Sequence, residues 1–188
     1  AVYLAMDMGS GKSRSAIDQI ANRGHKRVLI LAPLSVVDVW PLEFQKHSPV
    51  AIKVVPLGDK YKGVVAKAKM AAEQLALAKA EKTPIAIITN HESFWREPFS
   101  TLALKAGFDL LVVDEAARLK DPGGRASTFA AQLALRIPWR MALSGTPMPH
   151  SPDDIYAQYR FLDPGIFGTS QARFRQEYAV MGGWEGRQ

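Results

Sequence analysis

The sequence runs to 188 residues, 47% apolar and 22% charged, with a formal net charge of +6 and no cysteine. That length fits one domain of roughly 100–200 residues, and the lack of cysteine excludes disulfides and cysteine–zinc sites and fits a reducing compartment. No apolar run approaches the ~18 residues of a membrane span, and the opening Ala1-Val2-Tyr3-Leu4-Ala5-Met6 carries no basic leader and meets Asp7 too early for a signal peptide.

Short β-branched and leucine-rich runs alternate with helical stretches along the chain. Strands are predicted over Val2–Ala5, Val28–Ala32, Ile52–Val55, Ile85–Thr89, Asp109–Val113 and Arg140–Leu143. Helices are predicted over Lys12–Asn22, Val36–Lys46, Val64–Ala80, a short piece near Glu92–Trp95, and Ala126–Leu135, with Gly24 stopping the first. Several strands are apolar throughout rather than alternating, which is what a sheet covered on both faces produces. Strand, helix, strand in repetition implies right-handed crossovers and a mostly parallel α/β sheet with helices on both faces. Past Pro147, Ser151-Pro152-Asp153-Asp154 reads as a cap and first turn of a helix reaching about Leu162; Asp163-Pro164-Gly165 breaks it before an aromatic- and arginine-rich tail. An apolar strand at the very start, with no initiator Met, is expected of a fragment of a longer protein.

The positive charge is unevenly placed. Lys53 to Lys82 holds seven lysines against three acids, a net +4 in that segment. Such clustering can be a nucleic-acid footprint, but Val64–Ala80 is rich in good helix formers, so a solvated helix face is the plainer explanation.

The chemistry concentrates in three places. Met6–Ser13 follows a strand and opens a helix, and Gly9-Ser10-Gly11-Lys12-Ser13 is the end of a phosphate-binding loop. In that context backbone N–H groups and a helix N-terminus cradle anionic oxygens; Lys12 would reach the β- and γ-phosphates and the Ser13 hydroxyl would coordinate Mg²⁺. The full pattern fails at its first glycine, replaced here by Met6, so taken alone the loop also fits an ordinary turn with a solvent-facing lysine. The second place is Asp114-Glu115, at the end of the apolar run Phe108–Val113. Asp114 would hold Mg²⁺ through water and Glu115 would polarise the attacking water; an acidic pair can also be a mere helix start, but together with Lys12 and Ser13 it makes an ATP-type site. The third, Ser144-Gly145-Thr146-Pro147 after a strand, is by itself only a turn signal.

Read in order, Leu4–Ser13, Leu31-Ala32-Pro33-Leu34-Ser35, Ile88-Thr89-Asn90-His91-Glu92, Asp114-Glu115-Ala116-Ala117 and Leu143-Ser144-Gly145-Thr146-Pro147 resemble the motifs of superfamily 2 helicases, in the branch of the SWI/SNF-type DNA translocases. Met8 before Gly9 is typical of that branch, which does not require the first loop glycine. Val37–Phe44, with Trp40 and Glu43, and Pro147–Ile155 followed by Phe161-Leu162-Asp163-Pro164 resemble it further, so the likeness spans nearly the whole chain. The resemblance implies a RecA-like P-loop NTPase lobe, residues 1–188 being the first of two lobes of an ATP-driven motor that tracks along duplex DNA by backbone contacts. It implies ATP and Mg²⁺ as ligands, Pro33, Leu34, Ser35 and Thr89 beside DNA phosphates, and Ser144 and Thr146 coupling hydrolysis to movement. It also implies a second RecA-like lobe of the same polypeptide that supplies an arginine finger, a contribution of about 10³–10⁵ in rate in related enzymes; the chain alone is expected to bind ATP weakly and hydrolyse it poorly. No membrane partner is expected, and the setting would be the cytoplasm of a bacterial or phage-infected cell, or the nucleus of a eukaryote.

Two departures stand out. Ala117 replaces the histidine that usually ends the acidic motif, which leaves hydrolysis in place but threatens its coupling to DNA. The segment before the first motif, which often recognises adenine, is not in this sequence, so adenine specificity is implied by the family alone. A strand-separating helicase or restriction-type motor, a small-molecule P-loop kinase and a non-catalytic nucleic-acid-binding module with a relic site are the alternatives; the kinase leaves Ser144–Pro147 unexplained. His25, His47, His91 and His150 lack metal-ligand spacing, and Trp40, Trp95, Trp139 and Trp184 read as packing residues. Arg173-Phe174-Arg175, Tyr178 and Arg187 are expected to face the second lobe rather than phosphate.

Overall fold

The computed structural model describes residues 1–178. In chain order it comprises β1 (Val2–Ala5), α1 (Lys12–Asn22), β2 (Arg27–Ala32), α2 (Leu34–Val37), α3 (Trp40–His47), β3 (Lys53–Pro56), α4 (Gly63–Glu81), β4 (Ile85–Asn90), α5 (Phe99–Lys105), β5 (Leu110–Asp114), a 3₁₀ turn (Ala116–Leu119), α6 (Arg125–Ala134), β6 (Trp139–Ser144), α7 (Asp153–Leu162), α8 (Pro164–Phe167) and α9 (Gln171–Tyr178). The strands form one sheet in the order β1-β6-β5-β2-β4-β3, and every pairing is parallel. The RecA-like α/β architecture expected from the sequence is therefore present. Among the described residues no helix is long and apolar enough to cross a membrane.

The apolar runs have a direct cause. Successive strand residues point to opposite faces, and here both faces are covered. Leu29 and Leu31, Ile85 and Ile87, and Leu111 and Val113 pack beneath α4, α5, α6 and α7. Their neighbours Val28 and Ile30, Ala86 and Ile88, and Leu110 and Val112 pack beneath α1, α2 and α3. Gly24, at φ +66°, ends α1 as expected, letting its own N–H reach Ala21 O at 3.0 Å and that of His25 reach Ile20 O at 3.1 Å.

Several boundaries differ from the sequence expectation. The single helix over Val36–Lys46 is two helices broken at Asp38-Val39. Pro41 is the reason: inside a continuous helix it would lose an N–H bond and clash with the carbonyl of Val37, whereas in the first turn of α3 it does neither. Glu92–Trp95 is a run of turns, and the helix starts only at Phe99, after Pro98, because the residue before a proline is disfavoured in helical backbone. Ser151 does not cap α7, which has no side-chain cap; Asp154 in its first turn instead accepts from the preceding N–H groups of His150 at 2.8 Å and Ser151 at 3.3 Å. Asp163 does break the chain, and it caps α8 by accepting from Gly165 N at 3.0 Å.

The tail folds back on its own lobe. Phe174 is buried against Tyr156, Phe167 and Tyr178, Arg175 pairs with Asp153 at 2.6 Å and Arg173 with Glu177 at 2.9 Å. The expectation that this stretch faces another lobe is corrected for Phe174 alone, since Arg173 and Arg175 stay exposed; Trp184 and Arg187 lie outside the described residues.

Candidate nucleotide site at the carboxyl ends of the strands

Because all strands are parallel, β1, β2, β4, β5 and β6 end along one edge, where ligands of open α/β sheets bind. Met6–Ser13 joins β1 to α1 there. Gly9 and Gly11 adopt φ of +77° and +88°, and a Cβ at either would meet nothing within 4 Å, so glycine is needed for backbone shape rather than for room. Met6 has no such need, because Lys82 and Glu115 are the only non-glycine residues with positive φ among those described. Its contribution comes from the main chain: its N–H donates to Ser144 O at 3.2 Å and its carbonyl accepts from Lys12 Nζ at 2.9 Å. Asp7 O accepts from the same ammonium at 2.9 Å, while Ser10 Oγ folds back on Asp7 O at 2.6 Å. No side chain caps α1, so its first N–H groups are open to an anion. A cavity of about 300 Å³ lies against this turn, bounded by Gly9, Gly11, Lys12 and Ser13 on one side and by Val36, Val39, Trp40 and Glu43 of the α2–α3 segment on the other.

Asp114 is the last residue of β5 and is 8% exposed; Glu115 follows in left-handed backbone at φ 52°, a conformation that costs a non-glycine residue about 1–3 kcal/mol. Burial, then the neighbouring Glu115 carboxylate, push Asp114 up to about 6, against the opposing pull of the Glu115 N–H and Lys12. The Trp40 indole N–H lies near enough to favour the ionised carboxylate, yet no hydrogen bond of good geometry closes between them: Nε1 is buried without a partner among the described residues.

A carboxylate held part-neutral by burial, an open helix N-terminus and a free indole N–H are what a cation with its bound phosphates would satisfy. No group of three or more His, Cys, Asp or Glu that could hold a metal by itself occurs among the described residues. Mg²⁺ bound together with phosphates needs only one or two protein oxygens, and the Ser13 hydroxyl and Asp114 fit that requirement.

Ser144 is the last residue of β6, and Thr146 follows two positions on. Ser144 is fully buried and its Oγ accepts from Thr146 N at 3.1 Å, while Thr146 is exposed. Around them is a polar network that sequence reading passed over. Tyr3 OH donates to Gln158 Oε1, and the Gln158 amide donates to Pro147 O and Asp154 O, both at 2.7 Å. Burial pushes Tyr3 up to about 12 despite the nearby Ser144 hydroxyl. A signal was available: Gln158 lies one helical turn before Leu162 on the apolar stripe of α7, where a polar residue must find partners.

The four residues expected beside DNA phosphates divide. Ser35 is exposed and Leu34 half-buried at the start of α2, but Pro33 is buried and Thr89 is wholly so, with Oγ1 unpartnered among the described residues. Thr89 lies beside Leu31 in the register of a strand covered on both faces, so its hydroxyl cannot reach the surface; the expectation for these two side chains is corrected. The lysine cluster is divided too. Lys67 is buried, its ammonium drawn below the usual lysine range by desolvation and donating to Asn90 Oδ1 at 2.6 Å. Lys79 and Lys82 instead join Lys26 and Arg27 around a cleft at the opposite edge of the sheet.

His91, at the strand end that the resemblance places on the DNA side, is 4% exposed and donates from Nε2 to the carbonyl of Asp114 at 2.8 Å. Burial lowers it to about 4, so the ring is neutral near pH 7.

Residues 2–181 match the family described as the SNF2-related domain. The chain is 28% identical over 184 residues to the rice DNA repair and recombination protein RAD54, covering 93% of this chain and 18% of that protein. It is 27% identical over 180 residues to the uncharacterized ATP-dependent helicase YqhH of Bacillus subtilis, covering 94% of this chain and 28% of that protein. Among solved structures it is similar to the Sulfolobus solfataricus SWI2/SNF2 ATPase core in complex with dsDNA, with a TM-score of 0.67 and 25% identity over 94% of this chain and 34% of that one. The chain thus spans less than a third of the curated relatives named here.

Proposed function

The chain belongs to the SNF2-related domain family, and from that premise we propose that it is the first RecA-like, ATP-hydrolysing lobe of a motor that moves along duplex DNA. The observation that carries this reading is the meeting, at one sheet edge, of an open phosphate loop and the desolvated Asp114 with Glu115 beside it.

In this reading the first N–H groups of α1 and the Lys12 ammonium hold the nucleotide phosphates, Lys12 exchanging the Met6 and Asp7 carbonyls for phosphate oxygens. Ser13 and Asp114 hold Mg²⁺, which when bound neutralises phosphate charge as it develops. Glu115 orients the attacking water and draws on its proton. Ser35 and the start of α2 lie towards the DNA backbone, and Ser144 and Thr146 relay the state of the site. A second lobe of the same polypeptide would complete the site with an arginine, and residues 1–188 alone would turn over slowly.

The test is ATPase rate against duplex DNA concentration in the complete protein that carries this chain, with Glu115→Gln as control. Strong stimulation by duplex that the substitution removes, a loss of about 10²–10⁴-fold, supports the reading. A rate indifferent to DNA overturns the translocase assignment.

A further inference from the structure

Among the described residues, Ala117 presents no polar group to the segment after β6. A different bond holds the acidic turn, and it comes from the other side. The chain leaves β4 through Asn90, His91 and Glu92, and each grips a neighbouring element. Asn90 accepts from Lys67 of α4 at 2.6 Å and donates to Glu92 at 2.6 Å. Glu92 pairs with Arg118, three residues past Glu115, at 3.4 Å. Between them, His91 sends its ring beneath β5 to the carbonyl of Asp114. A carbonyl can only accept, so Nε2 carries the proton and Nδ1 is a bare acceptor; that atom is buried with no partner among the described residues.

An unmatched buried acceptor lowers stability, so shape and packing do not explain a histidine here. A phenylalanine would fill the same space without an orphaned nitrogen. What histidine adds is one directed N–H, aimed at the peptide unit between Asp114 and Glu115. That unit lies where the chain enters left-handed backbone, so its tilt sets the direction of the Glu115 carboxylate.

We propose that His91 is the positioning residue of the Asp114–Glu115 turn, tying the end of β4 to the carboxylates that handle metal and water. The inference rests on the ATPase reading of the site. It gives this chain a route from the β4 end, next to the exposed start of α2, to the hydrolytic carboxylate without any contribution from residue 117.

The experiment compares wild type, His91→Phe and His91→Gln in the complete protein, measuring kcat and KM for ATP with and without saturating duplex DNA, and thermal melting. The glutamine amide can place an N–H where Nε2 stands; phenylalanine cannot. A small misplacement of a reacting group can lower the rate by up to about 10²-fold, so His91→Phe is expected to reduce kcat by about tenfold or more. Because Lys12 and Ser13 carry ground-state binding, KM is expected to stay within about twofold. Melting is expected within about 4 °C of wild type, and His91→Gln should recover most of the lost rate. Wild-type kcat in His91→Phe overturns the inference, as does a joint loss of kcat, ATP binding and melting temperature in both variants, which is the mark of a structural role. The underlying reading fails separately. If wild type ignores DNA but hydrolyses ATP, the translocase assignment falls while the His91 effect is still read in the basal rate. A wild type without turnover overturns both.

Discussion

The two edges of the sheet handle polar groups in opposite ways. At the amino ends of the strands most polar groups find partners, although Asp109 Oδ1 is buried with no hydrogen bond among the described residues. Asp109 accepts from the N–H groups of Lys26 at 2.7 Å and Arg27 at 3.2 Å and pairs with His25 at 3.3 Å. Arg27 donates to Ala106 O at 2.8 Å, and Arg140 reaches Leu162 O and Ile137 O, both at 2.8 Å. At the carboxyl ends, Trp40 Nε1, Thr89 Oγ1 and His91 Nδ1 are buried without partners, Asp114 is desolvated beside a like charge, and Glu115 sits in left-handed backbone. Orphaned and strained groups are thus denser at the carboxyl ends than at the amino ends. Such departures from local rules gather where a ligand is to be bound.

That contrast can be broken by experiment. The largest effect is expected from Lys12→Ala: losing a charged donor aimed at a transferred phosphate costs about 10²–10³-fold in kcat, read in steady-state ATPase assays, with melting near wild type because the Lys12 ammonium bonds only carbonyls of its own loop. Next comes pH. With Asp114 lifted from 3.8 to about 6, by burial first and then the Glu115 charge, folding favours its protonated carboxyl. Its contribution to stability is therefore full below pH 4 and is lost as pH rises through about 6. Mg²⁺-dependent nucleotide binding needs the ionised form and should weaken about tenfold for each pH unit below 6; calorimetric titration with Mg-ADP at pH 5, 6 and 7 measures it. If binding is level across that range, the carboxylate is not desolvated as described. The smallest effect on activity, and the clearest on stability, is expected from Asp109→Ala at the amino edge. Two backbone donors lose a charged acceptor there, about 1–3 kcal/mol by denaturant unfolding, with kcat unchanged. A fall in kcat would show that the edges are not independent.

What could be read from sequence follows the same division. The strands were legible because burial on both faces leaves no polar alternation, and the loop and acidic pair were legible because phosphate chemistry requires neighbours in sequence. Pro41 carried the signal for the break between α2 and α3, and the length of the apolar pattern hid it. The Tyr3–Gln158 bond joins residues 155 positions apart, and His91 reaches Asp114 across 23. No local pattern encodes such meetings, since they exist only once the sheet order is fixed. Thr89 shows the converse: a motif gives a residue's neighbours along the chain but not which side of the surface its hydroxyl occupies.

Met6, the residue that interrupts the expected glycine pattern, has a mechanical consequence. Its amide is fastened to the last residue of β6 and its carbonyl to the ammonium of Lys12. One residue's main chain therefore bridges the end of β6 and the Lys12 ammonium, so the loop cannot shift at Met6 without loosening one or the other.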